Sequence, residues 1–253
     1  MKTFNKDKLK VKIMENRTEM GKVAAEDIYN TIKHLLSEKQ EINMIFAAAP
    51  SQNDVLESLI SYSDIEWGRI NAFHMDEYIG LGENLRDRSF GTFLTEHIFG
   101  KVPFKSINLI NSTATDAKAE CERYTKVLNS NPTDIVVMGI GENGHIAFND
   151  PWVAKFDDEQ VVKVVDLDEV CRQQQVNDGC FESIDLVPKQ AMTLTCPTLT
   201  RAPHLFCIVP AKTKAQAVYN TINGEISEDC PATILRKQND ATLYLDGDSS
   251  ALI

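Results

Sequence analysis

Residues 134–151 read Asp-Ile-Val-Val-Met-Gly-Ile-Gly-Glu-Asn-Gly-His-Ile-Ala-Phe-Asn-Asp-Pro, and this stretch decides the fold class. The segment from Asp134 to Ile140 is short and apolar, which is typical of a strand buried on both faces of a sheet. The chain then enters a loop that carries glycines, a histidine, and acid and amide side chains. Because glycines allow sharp turns and close approach to a ligand, such a loop is typical of the ligand-binding edge of an α/β protein.

Short apolar runs and helical patterns alternate on both sides of this stretch. Asn16 and Glu19 form a candidate capping pair for a helix predicted over 20–35. The alternation predicts an α/β fold with a mainly parallel central sheet and helices on both faces. With no repeat and no Pro/Gly/Ser-rich linker, we expect one domain over residues 1–253. The other predicted strands are 44–49, 70–75, 107–110, 161–165, 192–195, 205–209 and 241–245, and the other predicted helices are 51–61, 90–99, 116–128 and 212–222.

Four polar loops each follow a predicted strand, at 50–53, 76–78, 141–150 and 211–214. The carboxyl ends of parallel strands share one edge of a sheet. We therefore expect these loops, which are far apart in sequence, to meet at that edge.

The amino-acid composition limits the kinds of ligand and partner that we expect the protein to bind. The 253 residues carry a formal net charge of -11, which argues against nucleic-acid binding because that requires a basic surface. A small anionic ligand stays compatible, since the local charge of a cleft decides its binding. The charged segment 1–12 predicts neither a signal peptide nor a membrane anchor, and no apolar run reaches transmembrane length. Six scattered cysteines without a Cys-x-x-Cys pair indicate reduced thiols and a cytoplasmic protein, and a homo-oligomer is compatible with all of these features.

Two acid and histidine motifs are the candidate catalytic centre. Asp76 and Glu77 follow an apolar strand, where a carboxylate is either a helix cap or a base in a cleft, and the spacing alone does not choose between these roles. For His145 we favour a functional role over a loop cap, because glycines crowd its loop. Asn143 and Asp150 are then its natural orienting partners, although the segment containing Asp150 also fits a plain turn.

Other groups suggest either a metal ion or an anion at the same edge. His74, Asp76 and His145 could form a site of two histidines and one carboxylate, but close-spaced ligand pairs are absent and we expect no metal. Lys214 lies at the start of a predicted helix, where its side chain is either simply solvated or binds an anion together with backbone amides. The side chains of 51–53, namely Ser51, Gln52 and Asn53, offer further donors at another helix start.

Several common catalytic patterns are missing from the sequence. It contains neither Gly-x-Gly-x-x-Gly nor a Walker loop, so we expect no dinucleotide and no nucleoside triphosphate. Gly-x-Ser-x-Gly is also absent, and no cysteine neighbours a motif histidine. The candidate residues therefore indicate proton transfer rather than covalent or redox chemistry.

The motifs around these residues resemble the glucosamine-6-phosphate deaminase family, which is related to the 6-phosphogluconolactonases. Residues 75–81, Met-Asp-Glu-Tyr-Ile-Gly-Leu, are similar to its Met-Asp-Glu-Tyr signature, and residues 144–151 are similar to its Gly-His-Ile-Ala-Phe-Asn-Glu-Pro signature. Segments 187–194, 214–217 and 231–235 continue the match in the same order. The resemblance covers most of the chain and implies a three-layer, Rossmann-like sheet.

The resemblance also implies an activity and a set of roles. The family converts glucosamine 6-phosphate and water to fructose 6-phosphate and ammonia, without a redox cofactor or catalytic metal. Asp76 would move a proton between C2 and C1, and His145 would open the sugar ring. Asn143 and Asp150 would hold the imidazole, and Lys214 would bind the phosphate. Contacts with a sugar phosphate are expected from the remaining candidates, Ser51, Gln52, Asn53, Glu77, Gly141 and Gly144.

The chain departs from the family pattern at three places. Asn143 stands where many members have aspartate, and Asp150 stands where the family usually has glutamate. Ser51-Gln52-Asn53 replaces the Gly-Gly-Thr loop of the phosphate site, and the family's phosphate-binding arginine has no clear counterpart. We therefore predict a deaminase or isomerase of the hydrolase class, with a 6-phosphogluconolactonase-like hydrolase or a non-catalytic sugar-phosphate sensor as alternatives.

Overall fold

The computed structural model describes residues 1–253, apart from the side chain of Glu83. Its strands and helices follow the predicted alternation in the first two thirds of the chain. The strands are β1 (Lys2–Lys6), β2 (Leu9–Ile13), β3 (Ile42–Phe46), β4 (Ile70–His74), β5 (Asp76–Ile79), β6 (Ser106–Asn108), β7 (Ile135–Met138), β8 (Val162–Asp166), β9 (Gln190–Leu194), β10 (His204–Val209) and β11 (Ala241–Leu245). The helices are α1 (Arg17–Glu38), α2 (Asn53–Ile60), α3 (Phe90–Leu94), α4 (Ala117–Ser130), α5 (Glu169–Asn177), α6 (Cys196–Thr200) and α7 (Ala215–Asn223).

Eight strands form the central sheet, in the order β1-β2-β11-β10-β7-β3-β4-β6. Only the β1–β2 pair is antiparallel, so the predicted mainly parallel sheet is confirmed. β7 lies near the middle, where Val136 stands beside Ile45 of β3 and Leu205 of β10. The strand from the deciding stretch of sequence is therefore a central strand.

Two apolar cores cover the two faces of this sheet. Ile135 and Val137 pack in one core with α1, α2 and α3, whereas Val136 and Met138 pack in the other with α4, α6 and α7. This division follows from the alternation of side chains along a strand. The predicted three-layer arrangement, with helices on both faces, is confirmed.

Helix α1 shows how the local sequence specifies an element of these layers. Its buried residues recur every three or four positions, as expected for a helix with one apolar face. At its start the side chain of Asn16 accepts a hydrogen bond from the backbone N–H of Glu19 at 2.9 Å, and the Glu19 carboxylate accepts one from the N–H of Glu15 at 3.2 Å. The predicted capping pair is therefore confirmed, with Glu15 in place of the cap residue as the second donor.

A second sheet corrects two of the sequence-based expectations. β5, β9 and β8 form a separate three-stranded antiparallel sheet. The strands predicted at 161–165 and 192–195 exist, but they do not join the central sheet. The segment that follows β4 is a strand rather than a loop, because Asp76 pairs with Thr193 as soon as the chain leaves the central sheet.

Several elements were not predicted. The charged segment at the N-terminus forms the hairpin of β1 and β2, in which Leu9 and Val11 are buried, whereas Lys10 is exposed and Lys12 is partly exposed. This period of two is a strand signal that charge content obscured. Helix α5 has a polar sequence with a weak apolar face, which explains why helical periodicity did not reveal it. Among the described residues, no helix is both long enough and apolar enough to cross a membrane.

Candidate active site

A cleft opens at the carboxyl edge of the central sheet, where β7 lies between β3 and β10. The chain runs outward from β3 toward β6 on one side and from β7 toward β11 on the other, which makes this position a topological switch point. The segments that follow β3, β4, β7 and β10 all line the cleft, so the predicted meeting of the four segments is confirmed. The charged and polar side chains along the cleft include Arg17, Ser51, Gln52, Asp76, His145 and Lys214.

His145 is held in one orientation by two neighbours from its own loop. Its Nδ1 lies 2.8 Å from Oδ1 of Asn143 and 3.0 Å from Oδ1 of Asp150. The Asn143 amide orientation is fixed because its Nδ2 donates to the same Asp150 oxygen at 2.8 Å. Both neighbours of Nδ1 are therefore acceptors, so Nδ1 carries a proton. The other ring nitrogen, Nε2, has no hydrogen-bond partner among the described residues, and the ring lines the cleft, where it can exchange a proton with a ligand.

Asp150 is fully buried behind the imidazole. Burial favours the neutral acid, but the hydrogen bonds from His145 and Asn143 outweigh that effect and hold the pKa of Asp150 below its ordinary value. The carboxylate is therefore ionised at neutral pH and accepts the Nδ1 hydrogen of His145. Asn143 and Asp150 do not line the cleft themselves, and they act on it through His145.

One group of side chains in the described part of the chain has the composition of a metal site. Ligand atoms of His145, Asp150 and Cys171 lie within 4.8 Å of one another. Histidine, carboxylate and thiolate are ligands that zinc accepts. A metal ion bound there would have to separate His145 from Asp150, which already hydrogen-bond directly. His74, the other histidine considered in the sequence, is not part of this group.

Two glycines of the loop meet different requirements. A Cβ atom on Gly141 would lie 2.1 Å from Cε1 of His145 and 2.3 Å from both ring nitrogens, so only glycine leaves room for the imidazole. Gly141 also lines the cleft. Gly144 has φ +86, which favours glycine, and a Cβ there would lie 2.6 Å from Sγ of Cys230. Gly144 does not line the cleft, so the structure gives it a place in the loop's packing.

Asp76 lies in the cleft at the start of β5 and is only 7% exposed. Burial raises the pKa of its carboxyl group well above the ordinary value, and the neighbouring charge of Glu77 adds to the effect. A carboxylate with a raised pKa is a stronger base than an exposed one. Asp76 therefore has the place and the electrostatic environment of a proton carrier.

Glu77 points to different partners from Asp76, because adjacent residues of a strand face opposite sides. Its carboxylate accepts hydrogen bonds from the backbone N–H groups of Tyr78 (2.9 Å), Phe90 (3.1 Å) and Gly91 (2.9 Å). Burial raises its pKa to about 7, although the same three hydrogen bonds oppose the rise. Glu77 does not line the cleft, and its contacts hold the start of α3 against β5.

The segment after β3 presents side chains rather than glycines to the cleft. Gln52 is fully buried, and its Nε2 lies 3.0 Å from Oγ of Ser51 and 3.3 Å from the carbonyl oxygen of Ile208. Ser51 and Gln52 line the cleft, whereas Asn53 does not. This segment therefore presents to the cleft a serine hydroxyl held by a buried side-chain amide, rather than the backbone amides of a glycine-rich loop.

Lys214 lies on the cleft, only 6% exposed, at the start of α7. Burial lowers the pKa of its ammonium group, while the carboxylates of Asp178 and Glu142 act in the opposite direction. Within the described residues it makes no salt bridge. A buried cation without a direct partner indicates an anion-binding position.

Two parts of the cleft were not predicted from the sequence. Arg17 reaches it from the first turn of α1, and Gln174, Gln175 and Asp178 reach it from α5 and the residue after it. The capping pair before α1 located the helix start, but nothing local indicated that this end faces the site. Because the sequence of α5 is polar, no helix was predicted there, and so no helix could be assigned to the cleft. Arg172 does not line the cleft and donates to backbone carbonyl oxygens of 184 and 187.

His74 is fully buried outside the cleft, where its Nε2 accepts a hydrogen bond from the backbone N–H of Ile110 at 2.7 Å. Burial lowers its pKa to about 3, although the charge of Glu120 opposes the shift. The folded protein therefore keeps this ring neutral at pH values where the unfolded chain protonates it.

This burial predicts acid sensitivity. Because the pKa of His74 is lower in the folded state than the unperturbed 6.5, the unfolded state binds the extra proton as the pH falls from about 6.5 toward 3, and stability is lost over that window. We expect the loss to be on the order of 4 kcal/mol. Urea unfolding at pH 7 and pH 4 should show a smaller loss for His74→Gln, which retains an acceptor for Ile110. The exposed His34→Gln is the control, and equal losses in all three proteins would contradict the prediction.

Comparison with known proteins shows that the chain is similar in sequence and fold to sugar-phosphate enzymes. The family model described as glucosamine-6-phosphate isomerases/6-phosphogluconolactonase matches residues 15–244. A protein of Listeria monocytogenes named glucosamine-6-phosphate deaminase is 34% identical over 213 residues, which is 84% of this chain and 88% of the relative. A solved structure of a monomeric glucosamine-6-phosphate deaminase superposes with a TM-score of 0.85 at 31% identity, covering 96% of this chain and 99% of the other. The 6-phosphogluconolactonase of Thermotoga maritima gives a TM-score of 0.74 at 20% identity, covering 93% and 98%, and shares the fold.

Proposed function

Because the chain belongs to the glucosamine-6-phosphate isomerase/6-phosphogluconolactonase family, we propose that it converts glucosamine 6-phosphate and water to fructose 6-phosphate and ammonia. The observation that carries this proposal is the presence of two separate proton carriers, Asp76 and His145, in one cleft. Ring opening and aldose–ketose isomerisation each need a proton to be moved at a different place on the sugar. Two carriers on different segments of the chain fit that requirement.

In the first step, His145 opens the pyranose ring. The imidazole passes a proton from the C1 hydroxyl to the ring oxygen, so that the C1–O5 bond breaks and an aldehyde forms at C1. The oxygens of Asn143 and Asp150 that accept from Nδ1 keep Nε2 oriented toward the ligand, and they stabilise the imidazole ring when it is charged. Asp150 contributes the fixed negative charge, and Asn143 joins it to the imidazole.

In the second step, Asp76 removes the proton from C2 of the open-chain sugar while the C1 oxygen gains a proton, which gives an enolamine. Asp76 then returns its proton to C1 while the nitrogen gives up one proton. The product is an imine at C2, and water hydrolyses it to fructose 6-phosphate and ammonia. The burial that raises the pKa of Asp76 supports its role as the base. Every step moves protons or adds water, so the reaction needs neither a redox cofactor nor a metal.

We propose that the phosphate binds where Lys214 and Ser51 line the same cleft. Lys214 supplies a buried cation, and Ser51 supplies a hydroxyl that Gln52 orients. Gly141 leaves room in the cleft for the imidazole of His145. We assign to Asn53, Glu77 and Gly144 supporting roles in the segments that carry the site, since these residues do not line the cleft.

The base in the cleft favours deamination over lactone hydrolysis. Hydrolysis of 6-phosphogluconolactone involves attack by water on a carbonyl carbon and needs no base at C2 of the sugar. Asp76, in the Met-Asp-Glu-Tyr sequence of 75–78, lines the cleft, and its carboxylate supports the proposal of such a base. The relatives at 30% identity or more are named deaminases, whereas the lactonase comparison concerns the fold alone.

The test is product stoichiometry. The purified protein is expected to release ammonia and fructose 6-phosphate in equal amounts from glucosamine 6-phosphate, and to leave 6-phosphogluconolactone at its spontaneous rate of hydrolysis. Galactosamine 6-phosphate and mannosamine 6-phosphate belong in the panel, because they report on the sugar stereochemistry. Absence of ammonia from every amino-sugar phosphate, or rapid lactone hydrolysis, would contradict the proposal.

The remaining expectations concern the state of the protein in the cell. We propose a cytoplasmic enzyme, which is supported by six cysteines that are all unpaired thiols. One domain over 1–253 and a homo-oligomer stay predictions, which limited proteolysis and light scattering would test.

A further inference from the structure

Arg17 is a cation of the cleft that no sequence motif predicts. It is the first residue of α1, and it lines the same cleft as Ser51 and Lys214. The three side chains come from segments that follow different strands, and tertiary packing alone brings them to one place. Because Lys214 carries one positive charge and a phosphate monoester carries about −1.5 to −2 at neutral pH, a second cation would improve the charge balance.

The guanidinium of Arg17 is held by two hydrogen bonds. Its Nε donates to Oδ2 of Asp54 at 2.5 Å, and its Nη2 donates to the carbonyl oxygen of Pro50. These bonds leave Nη1 and the second N–H of Nη2 as further donors at the end of the planar group. Nη1 has no hydrogen-bond partner in the described part of the protein. A guanidinium edge of this kind can bind two oxygens of one phosphoryl group.

The Ser51 hydroxyl provides a neighbouring donor. Its Oγ faces Nε2 of Gln52, and because an amide nitrogen can only donate, the serine proton is available to a ligand. Gly139 preserves this arrangement, since a Cβ there would lie 3.2 Å from Nε2 of Gln52 and 3.5 Å from Oγ of Ser51. Side-chain donors thus occupy the segment where a glycine-rich loop would offer backbone amides.

Two carboxylates reduce the positive charge around Arg17 and Lys214. Asp54 pairs with Arg17, and Asp178 lies on the cleft near Lys214. Asp54 also keeps the guanidinium from rotating, so it acts as a positioning group. A site with two cations and two nearby carboxylates binds an anion through directed hydrogen bonds more than through net charge.

We propose that Arg17 is a phosphate-binding residue, whose Nη1–Nη2 edge holds the phosphoryl group of the substrate together with Lys214 and the Ser51 hydroxyl. The inference rests on the proposed function, because it takes the substrate to be a phosphorylated sugar. It also gives a physical reason for the loss of glycines at 51–53: an arginine from another element supplies donors that the loop backbone does not. Arg17 is thereby a specificity-determining residue for phosphorylated over free sugars.

The first test is the kinetics of Arg17→Gln. Removing a charge-assisted pair of hydrogen bonds to the phosphoryl group should raise KM for glucosamine 6-phosphate about 10- to 100-fold. The value of kcat should change by less than about threefold, because the phosphate is bound equally in the ground and transition states. Arg201→Gln is the matched control, since Arg201 is exposed and outside the cleft. Unchanged KM in Arg17→Gln would overturn the inference.

Two further variants separate phosphate binding from anchoring of the segment at Pro50. Arg17→Lys keeps the charge and should recover part of the lost affinity. Asp54→Asn keeps the guanidinium and removes its anchor, so its KM should rise less than that of Arg17→Gln. Free glucosamine, which lacks the phosphoryl group, should show the same KM in wild type and Arg17→Gln. A penalty that persists with free glucosamine would identify a structural role and contradict the proposal.

Calorimetric binding of inorganic phosphate and of glucosamine 6-phosphate distinguishes this inference from the proposed function. If wild type binds glucosamine 6-phosphate without releasing ammonia, the function fails, while a weaker Kd in Arg17→Gln still supports the site. If wild type releases ammonia and Arg17→Gln binds both ligands normally, the function stands and the site fails. Binding of neither ligand at millimolar concentration overturns both. Circular dichroism shows which variants are folded. If Arg17→Gln is not folded, the binding and kinetic comparisons are made with Arg17→Lys instead.

Discussion

Asp76→Asn is expected to lower kcat for ammonia release by about 10²- to 10⁴-fold, the usual contribution of a general base. Asparagine has the same shape as aspartate but cannot take the proton from C2. The substrate should still bind, because Ser51 and Lys214 lie on other segments of the cleft. The measurement is steady-state ammonia release, together with binding of glucosamine 6-phosphate to the variant. Ammonia release at the wild-type rate would contradict the role of Asp76 as the base.

The stability of this variant provides an internal check. Since burial raises the pKa of Asp76 above its unfolded value, the folded state favours the neutral acid, and that contribution to stability is present at low pH and lost as the pH rises. A neutral asparagine removes this loss, so the variant should be at least as stable as wild type at pH 8. Urea unfolding tests this expectation, with the exposed Asp157→Asn as control. A variant that is both inactive and strongly destabilised would indicate a structural role instead.

Gly141→Ala is expected to remove activity by moving His145. The new Cβ would lie within 2.3 Å of three ring atoms of His145, and the ring cannot shift without leaving Asn143 and Asp150. Displacing the imidazole leaves the buried Asp150 carboxylate with fewer partners, which costs about 3–5 kcal/mol when a buried pair is broken. We expect kcat to fall by at least about 10²-fold, as for loss of an acid–base group. Ammonia release and urea unfolding measure the two effects.

A double-mutant cycle tests whether the effect of Gly141→Ala comes from the clash between the new Cβ and the His145 ring. In a His145→Ala background the ring is gone, so Gly141→Ala should cost much less stability than it does in wild type. Gly68→Ala is the matched control, because no atom lies within 4 Å of its added Cβ, and it should change stability by less than about 0.5 kcal/mol. Equal costs of Gly141→Ala in both backgrounds would show that the glycine is needed for another reason, such as its backbone conformation.

Much of the fold follows from local patterns. An unbroken apolar run in 135–138 must be buried on both faces, and the structure places it in the middle of a sheet with a core on each side. The apolar spacing of α1 and the Asn16 cap fix one helix. From these two kinds of element follow a parallel sheet, its carboxyl edge, and the meeting of the segments that carry Asp76 and His145.

The second sheet could not be predicted in the same way. β5, β8 and β9 are short, and a strand pattern does not say which partner the strand takes. Pairing of Asp76 with Thr193 depends on residues more than a hundred positions apart. This pairing turns Asp76 toward the cleft and Glu77 toward the start of α3, so it separates two adjacent carboxylates that their spacing in the sequence did not distinguish.

By itself, the sequence determined the class of fold, the edge of the sheet where the candidate site lies and the types of side chain that lie there. These properties depend on periodicity, turns and residue chemistry, which act over a few neighbouring positions. Only the tertiary structure decided that Arg17 faces the cleft, that α5 lines it, and that Gln52 holds the Ser51 hydroxyl. These contacts join segments that no local pattern relates, because packing of the helix layers onto the twisted sheet sets which helix ends reach the site.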